Sequence, residues 1–156
     1  MPHLVILYTP NLDAGAGVGA GVGPDCDGLA MGPLCSALAA AMRAQRDEAG
    51  APVFPPGGVR VLAYPAAYSA VADEGSAGQA AGGSGDYGFM YLNLRMARGR
   101  SPAVQQAVGQ ALLAVVQTAA APLLPRRHVG FTLQIDEGTE VFDGKVSSLH
   151  PLFRPA

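Results

Sequence analysis

Four short segments of the chain concentrate or alternate apolar residues in the way that β-strands do. The run from His3 to Thr9 (HLVILYT) is apolar throughout, which predicts a central strand buried on both faces. The segments Val59 to Tyr64 and Asp86 to Met96 predict a second and a third strand. From Val129 to Asp136 apolar and polar residues alternate, which predicts a fourth strand.

Two further segments repeat apolar residues at helical spacing. The first begins at Gly32 and is predicted to end near Glu48. In the second, Ser101 is a candidate N-cap, Pro102 suits the first helical position, and the helix is expected to reach about Ala120. The positions predicted to face the core are Leu34, Leu38, Ala41 and Met42 in the first helix and Val104, Val108, Leu112 and Val115 in the second.

The order of these elements predicts the fold class. Strand, helix and strand follow one another twice, and a helix that crosses between two strands favours parallel pairing within each half. Two βαβ units can share one four-stranded sheet with both helices on one face, so we expect a single α+β domain over residues 1–156. The other face of that sheet then needs cover, which predicts a homo-oligomer.

Glycine is concentrated in two places. Thirteen of the 21 glycines lie between Gly15 and Gly32 or between Gly75 and Gly88. We interpret these stretches as flexible insertions at about residues 14–32 and 75–85. The first lies between a strand and a helix, where a dinucleotide-binding loop would occur, but its glycines at alternate positions do not satisfy the GxGxxG spacing. Nucleotide binding is therefore not expected.

Composition narrows the class of protein further. Charged residues make up 14% of the chain and the net charge is −2, so neither nucleic acid nor a membrane surface is an expected partner. Neither a membrane span nor a signal peptide is predicted from the apolar runs and the N-terminal residues, and a cytoplasmic location is expected. The cysteines and histidines are not spaced like metal ligands, so no metal is expected. They are Cys26, Cys35, His3, His128 and His150. At the start of the first strand, His3 is expected to be a hydrogen-bonded structural residue.

The residues with the clearest chemical potential are the first two. Initiator methionine is generally removed before a small residue, so the mature chain would begin with the secondary amine of Pro2. An α-amino group has a pKa of about 7.7–8.0, and burial or nearby cations lower it. Such an amine is neutral near physiological pH and suits a general base that needs neither metal nor cofactor.

Four stretches together resemble the 5-carboxymethyl-2-hydroxymuconate isomerase family of the tautomerase superfamily. They are the opening MPH with its apolar strand, GVR at residues 58–60, DYGFMYLNLRMARGRS at 86–101 and the LHPLF near the end. The resemblance implies a homotrimer of subunits with two βαβ units and a cofactor-independent isomerase in which the N-terminal proline carries the proton. The implied substrate is an anionic, unsaturated 2-hydroxy acid of aromatic-acid (homoprotocatechuate-type) catabolism.

The same resemblance implies site residues. The catalytic proline falls on Pro2, and the two substrate-binding arginines fall on Arg60 and Arg100. A planar guanidinium binds a carboxylate through two parallel hydrogen bonds, which suits a substrate with several carboxylates. The family pattern has a further arginine two residues after the first, where this chain has Leu62.

Other interpretations stay open at this point. Arg95 and Arg98 are interpreted as solvated surface charges. A different reaction of the superfamily is an alternative, either a phenylpyruvate-type keto–enol tautomerase or a decarboxylase of a small β-keto acid. A non-catalytic trimer used for interaction is the alternative from another class of protein.

Overall fold

A computed structural model describes residues 3–15 and 28–139 and, towards the C-terminus, 141–142, 144, 146, 148 and 150–153. Pro2, Cys26 and residues 16–27 of the first glycine-rich insertion lie outside the described residues. The strands are β1 (His3–Tyr8), β2 (Arg60–Pro65), β3 (Gly88–Ala97) and β4 (Val129–Gly138). The helices are α1 (Met31–Ala44), α2 (Ser76–Ala80) and α3 (Pro102–Ala120), with 3-10 turns at Pro10–Leu12, Pro56–Gly58 and His150–Phe153.

The strands form one four-stranded sheet in the order β2-β1-β3-β4. The pairs β1·β2 and β3·β4 are parallel, as the two βαβ units predict, and the halves meet through the antiparallel pair β1·β3. The predicted sheet of four strands is confirmed, and β1 lies in its centre beside both β2 and β3.

One face of the sheet is covered by helices α1 and α3, which contact each other and the strands. The apolar side chains that alternate along the strands point into this layer, and the helices meet them with one residue per turn. The buried side chains include Leu4, Ile6, Met90, Leu92, Leu94 and Met96 from the sheet, Leu34, Leu38 and Met42 from α1, and Val104, Val108, Leu112 and Val116 from α3. The placement of both helices on one face is confirmed; near the end of α3, Val116 is fully buried and the predicted Val115 packs against the core while partly buried.

Helix α1 ends four residues before the predicted Glu48. Gln45 already has an extended backbone, and Arg46 pairs with Pro52 in an antiparallel bridge. The side chain of Asp47 accepts hydrogen bonds from the backbone N–H groups of Ala49 at 3.0 Å and Ala51 at 2.8 Å. An aspartate that bonds to nearby backbone groups in this way stabilises a turn at the expense of further helix.

The structure of residues 75–85 differs from the flexible insertion that the sequence predicts. This stretch contains α2, and Tyr87 anchors it by donating a hydrogen bond to Asp73 Oδ2 at 2.9 Å and accepting one from the Gly78 N–H at 2.7 Å. Gly75 has a φ of +85°, and a Cβ at this position would lie 2.4 Å from the carbonyl oxygen of Gly85. The glycines here therefore permit close approach of two backbone segments.

The first glycine-rich insertion leaves and rejoins the fold at one point. The Leu29 N–H donates to the Leu12 carbonyl at 2.6 Å, and the Ala14 N–H donates to the Leu29 carbonyl at 2.9 Å. These bonds form the bridge between Asp13 and Leu29. The chain on either side of the insertion is thus held in place independently of its length.

The second face of the sheet has no covering layer within the described part of the chain; we call it the open face. On this face Leu7 of β1 and Tyr64 of β2 are each 49% exposed. Burial of β1 on both faces is therefore not achieved within one subunit, in contrast to the expectation from its apolar sequence.

The burial pattern of α3 predicts a sharp difference between two adjacent leucines. Leu112 is 0% exposed and Leu113 is 39% exposed. Leu112→Ala should lower the free energy of unfolding by about 2–5 kcal/mol because it removes buried methyl groups and leaves a cavity, whereas Leu113→Ala should cost less than about 1 kcal/mol. Urea unfolding of both variants measures the difference, and equal losses would contradict this assignment of the core face.

Candidate active site

The directions of the strands bring several chain segments to one edge of the sheet. Strands β1 and β2 begin at this edge because they are parallel, and β3 reaches it with its C-terminal end because it is antiparallel to β1. His3, the first residue of β1, is level with Arg60 on one side and Arg95 on the other. Pro2 immediately precedes His3 in the sequence and lies outside the described residues.

The same register assigns these three side chains to one face. Leu4 is buried under the helices, and successive side chains on a strand point to opposite faces, so His3 belongs to the open face. Its partners in register, Arg60 and Arg95, share that face. We call His3, Arg60 and Arg95 the cationic row.

Arg60 stands at the beginning of β2, directly after the turn Pro56–Gly58. Its side chain is half-buried, and its Nη1 lies 3.5 Å from the carbonyl oxygen of Gly58. The short proline-containing turn thus brings the guanidinium to the edge of the sheet.

Arg95 is exposed near the end of β3. Its partner in β4 is Asp136, but this carboxylate accepts a 2.7 Å hydrogen bond from Asn93 Nδ2, and no ion pair joins it to Arg95 in the described part of the chain. The guanidinium instead lies over Gly138, where a Cβ would come within 2.9 Å of Arg95 Nε and Nη2. Sequence reasoning took Arg95 for a surface charge, because only the strand register reveals that it lies level with His3.

The pKa of His3 reflects the positive charge of the cationic row. Burial lowers the pKa of the His3 imidazole most, and the positive charges of the chain's N-terminus, of Arg60 and of Arg95 lower it further. His3 pairs with both neighbouring strands in the sheet, and within the described residues no hydrogen bond of its imidazole is found, in contrast to the structural hydrogen bond expected for it. A neutral imidazole between two guanidiniums leaves a site whose charge favours an anion.

Arg100 lies in the loop between β3 and α3 and is half-buried. Its Nη2 donates to the Val53 carbonyl at 3.1 Å and its Nη1 donates to the Ala97 carbonyl at 3.2 Å. This guanidinium therefore joins the end of β3 to the segment before β2. The structure brings Arg60 and Arg95 to either side of His3, whereas the contacts of Arg100 are with backbone carbonyls.

Other parts of the described chain offer less chemistry. A groove of about 570 Å³ lies between α1 and α3, and its lining, which includes Leu34, Val115 and Thr118, has no ionisable side chain. No group of three or more His, Cys, Asp or Glu residues within the described ranges could hold a metal ion. None of the described helices is long and apolar enough to cross a membrane. The two guanidiniums of the cationic row suit an anionic ligand.

Comparisons with known proteins agree with this architecture. A crystal structure of a 5-carboxymethyl-2-hydroxymuconate delta-isomerase is 52% identical, covers 100% of this chain and 95% of its own, and has a TM-score of 0.87. A 5-carboxymethyl-2-hydroxymuconate isomerase from Deinococcus radiodurans R1 is 27% identical, with coverage of 99% and 95% and a TM-score of 0.71. No protein with curated annotation matches significantly.

The family model for 5-carboxymethyl-2-hydroxymuconate isomerase matches residues 24–153. The chain belongs to the 5-carboxymethyl-2-hydroxymuconate isomerase family.

Proposed function

We propose that the protein isomerises 5-carboxymethyl-2-hydroxymuconate, or a similar unsaturated 2-hydroxy acid, without a cofactor. The observation that carries this proposal is that Arg60 is level with His3, the first described residue of β1 and the neighbour of Pro2 in sequence. The 52% identity to a delta-isomerase over the whole chain supports the choice of substrate. Such a reaction belongs to the catabolism of homoprotocatechuate-type aromatic acids, and the proposed location is the cytoplasm.

The proposed mechanism moves one proton. The amine of Pro2, exposed by removal of Met1, takes the proton from the 2-hydroxyl group of the dienol. The electrons of that O–H bond form the 2-oxo group, the double bonds shift along the conjugated chain, and the protonated amine returns the proton to a carbon further along. The product is an isomer of the substrate, so no oxidant or reductant is needed.

The arginines have two roles in this scheme. Arg60 and Arg100 bind substrate carboxylates and stabilise the negative charge that develops on the 2-oxygen. The nearby positive charge also lowers the pKa of the Pro2 amine, as it does for the adjacent His3. Arg100 uses two of its N–H groups on the Val53 and Ala97 carbonyls, which holds its remaining donors in a fixed direction.

The open face supports a homotrimer. Leu7, Leu62, Tyr64 and Phe89 each expose more than two fifths of their surface there. Contiguous apolar side chains on a sheet face are stabilised by burial, and a second copy of the same subunit offers a matching apolar surface. The proposed trimer therefore covers the face that the helices of one chain leave open.

Loss of the proline amine should remove most of the turnover. Pro2→Ala replaces a secondary amine by a primary one of different basicity and geometry, and kcat should fall by about 100-fold or more. The loss of dienol absorbance measures turnover, and mass spectrometry of the wild-type protein should find Met1 absent. Full activity in a protein that retains Met1 would contradict the proposed base.

The two predicted binding arginines should differ in their effect on stability. Arg60→Gln should raise KM by roughly tenfold, because a charge-assisted hydrogen bond to a carboxylate is lost. Arg100→Gln should raise KM and also lower the free energy of unfolding by about 1–3 kcal/mol, because the Val53 carbonyl loses its charged donor. An unchanged KM in both variants would argue against their binding role and favour a non-catalytic trimer.

A charge on the open face should dissociate the proposed trimer. Leu7→Lys introduces an ammonium group where the side chain is half-exposed in one subunit and would be buried in the assembly. Light scattering coupled to size-exclusion chromatography should give a trimer for the wild type and a smaller species for the variant. Leu113→Lys on the outer surface of α3 is the matched control, and a wild-type monomer would overturn the proposal.

A further inference from the structure

We propose that Arg95 is a substrate-binding residue, which binds a second carboxylate on the side of His3 opposite to Arg60. This inference rests on the proposed function and deepens it, since it assigns the site to an acid with carboxylates at both ends of a conjugated chain. The cationic row is then one anion site that extends across three strands.

The first support is geometric. Arg60, His3 and Arg95 are consecutive in register on β2, β1 and β3. Neighbouring strands are about 4.8 Å apart, so the backbones of the two arginines are separated by about 10 Å. Two long side chains at this separation flank an elongated molecule and reach a carboxylate at each end. A single guanidinium neutralises one end only.

The second support is that Arg95 is available. An arginine directly opposite an aspartate on the neighbouring strand ordinarily pairs with it. Here Asp136 accepts its hydrogen bond from Asn93 at 2.7 Å, and in the described ranges no hydrogen bond or ion pair is recorded for the Arg95 side chain. A guanidinium without an internal carboxylate retains its full set of donors for an external one.

The third support is the space in which the guanidinium lies. Gly138 is on β4, two residues beyond Asp136 and therefore on the same face. A Cβ here would come within 2.9 Å of Arg95 Nε and Nη2, so only glycine leaves the present position of the guanidinium undisturbed. Gly138→Ala is expected to displace the flexible side chain of Arg95 and to leave the strand intact.

The fourth support is His3 between the two arginines. Burial, the positive charge of the chain's N-terminus and the charges of Arg60 and Arg95 lower the pKa of His3, which favours the neutral imidazole with one N–H donor. The groups that face it are Arg60 on β2 and Arg95 on β3, with Asp136 one strand further away. A bound dianion would favour the imidazolium form and raise the pKa of His3.

The test compares two substrates of different charge. For 5-carboxymethyl-2-hydroxymuconate, Arg95→Gln should raise KM by roughly tenfold, the value of one charge-assisted contact, and leave kcat within about threefold. For the enol of phenylpyruvate, which has a single carboxylate, KM should change by less than about twofold. Equal changes for both substrates, or no change for either, would overturn the proposal.

Two further variants separate position from charge. Gly138→Ala retains every charge and should raise KM for the muconate in the same direction as Arg95→Gln, with thermal stability close to that of the wild type. Arg98→Gln removes an exposed guanidinium from the loop after β3 and should leave both substrates unaffected. An effect of Arg98→Gln equal to that of Arg95→Gln would indicate general electrostatic attraction and contradict a specific site.

Binding without turnover separates this inference from the proposed function. Histidine NMR titrations with unsubstituted muconate, a dianion that has no 2-hydroxyl group to convert, should raise the pKa of His3 in the wild type, and this response should be lost in Arg95→Gln. Without ligand, Arg95→Gln should itself raise the His3 pKa, because a repelling cation is removed. If the ligand raises the His3 pKa in the wild type but the protein has no isomerase activity, the anion site is supported and the proposed function is rejected. If the protein is an isomerase but the ligand raises the His3 pKa equally in Arg95→Gln, the role of Arg95 is rejected.

Discussion

The pairing of β1 with a strand on each side is the constraint on which the rest of the structure depends. From its first residue, β1 is parallel to β2 and antiparallel to β3, and this makes His3 level with Arg60 and Arg95. Side chains alternate between the two faces of a sheet, so a shift of one residue in either pair would turn an arginine towards the buried helices. Burial of Leu4 and Ile6 opposes such a shift, because it would expose apolar side chains and bury a charge.

The open face combines two kinds of surface that need different partners. Its apolar part includes Leu7 and Tyr64, which favour contact with another copy of the subunit. Its edge is the cationic row, where an imidazole of lowered pKa lies between two guanidiniums. The proposed subunit contact and the proposed anion site thus lie on different regions of one face, and the same strand register positions both.

The loop between β3 and α3 stabilises the segment that leads into β2. Ser101 caps α3 by accepting a hydrogen bond from the Val104 N–H at 3.3 Å, and its hydroxyl also donates to Glu48. That hydrogen bond lowers the pKa of the exposed Glu48 carboxyl. Together with the contact of Arg100 to Val53, it holds the segment before β2 against the end of β3. Arg60 is therefore placed by contacts far from it in sequence as well as by its own strand.

The sequence by itself determined the number and order of the principal strands and helices, because apolar periodicity is a local property that burial on one face requires. The motifs from GVR to GRS also determined the family and directed attention to Arg60 and Arg100. Only the tertiary structure decided that Arg95 lies beside His3 and that residues 75–85 fold around Tyr87. Strand register and backbone close approach depend on packing between residues distant in sequence, and no local pattern contains that information.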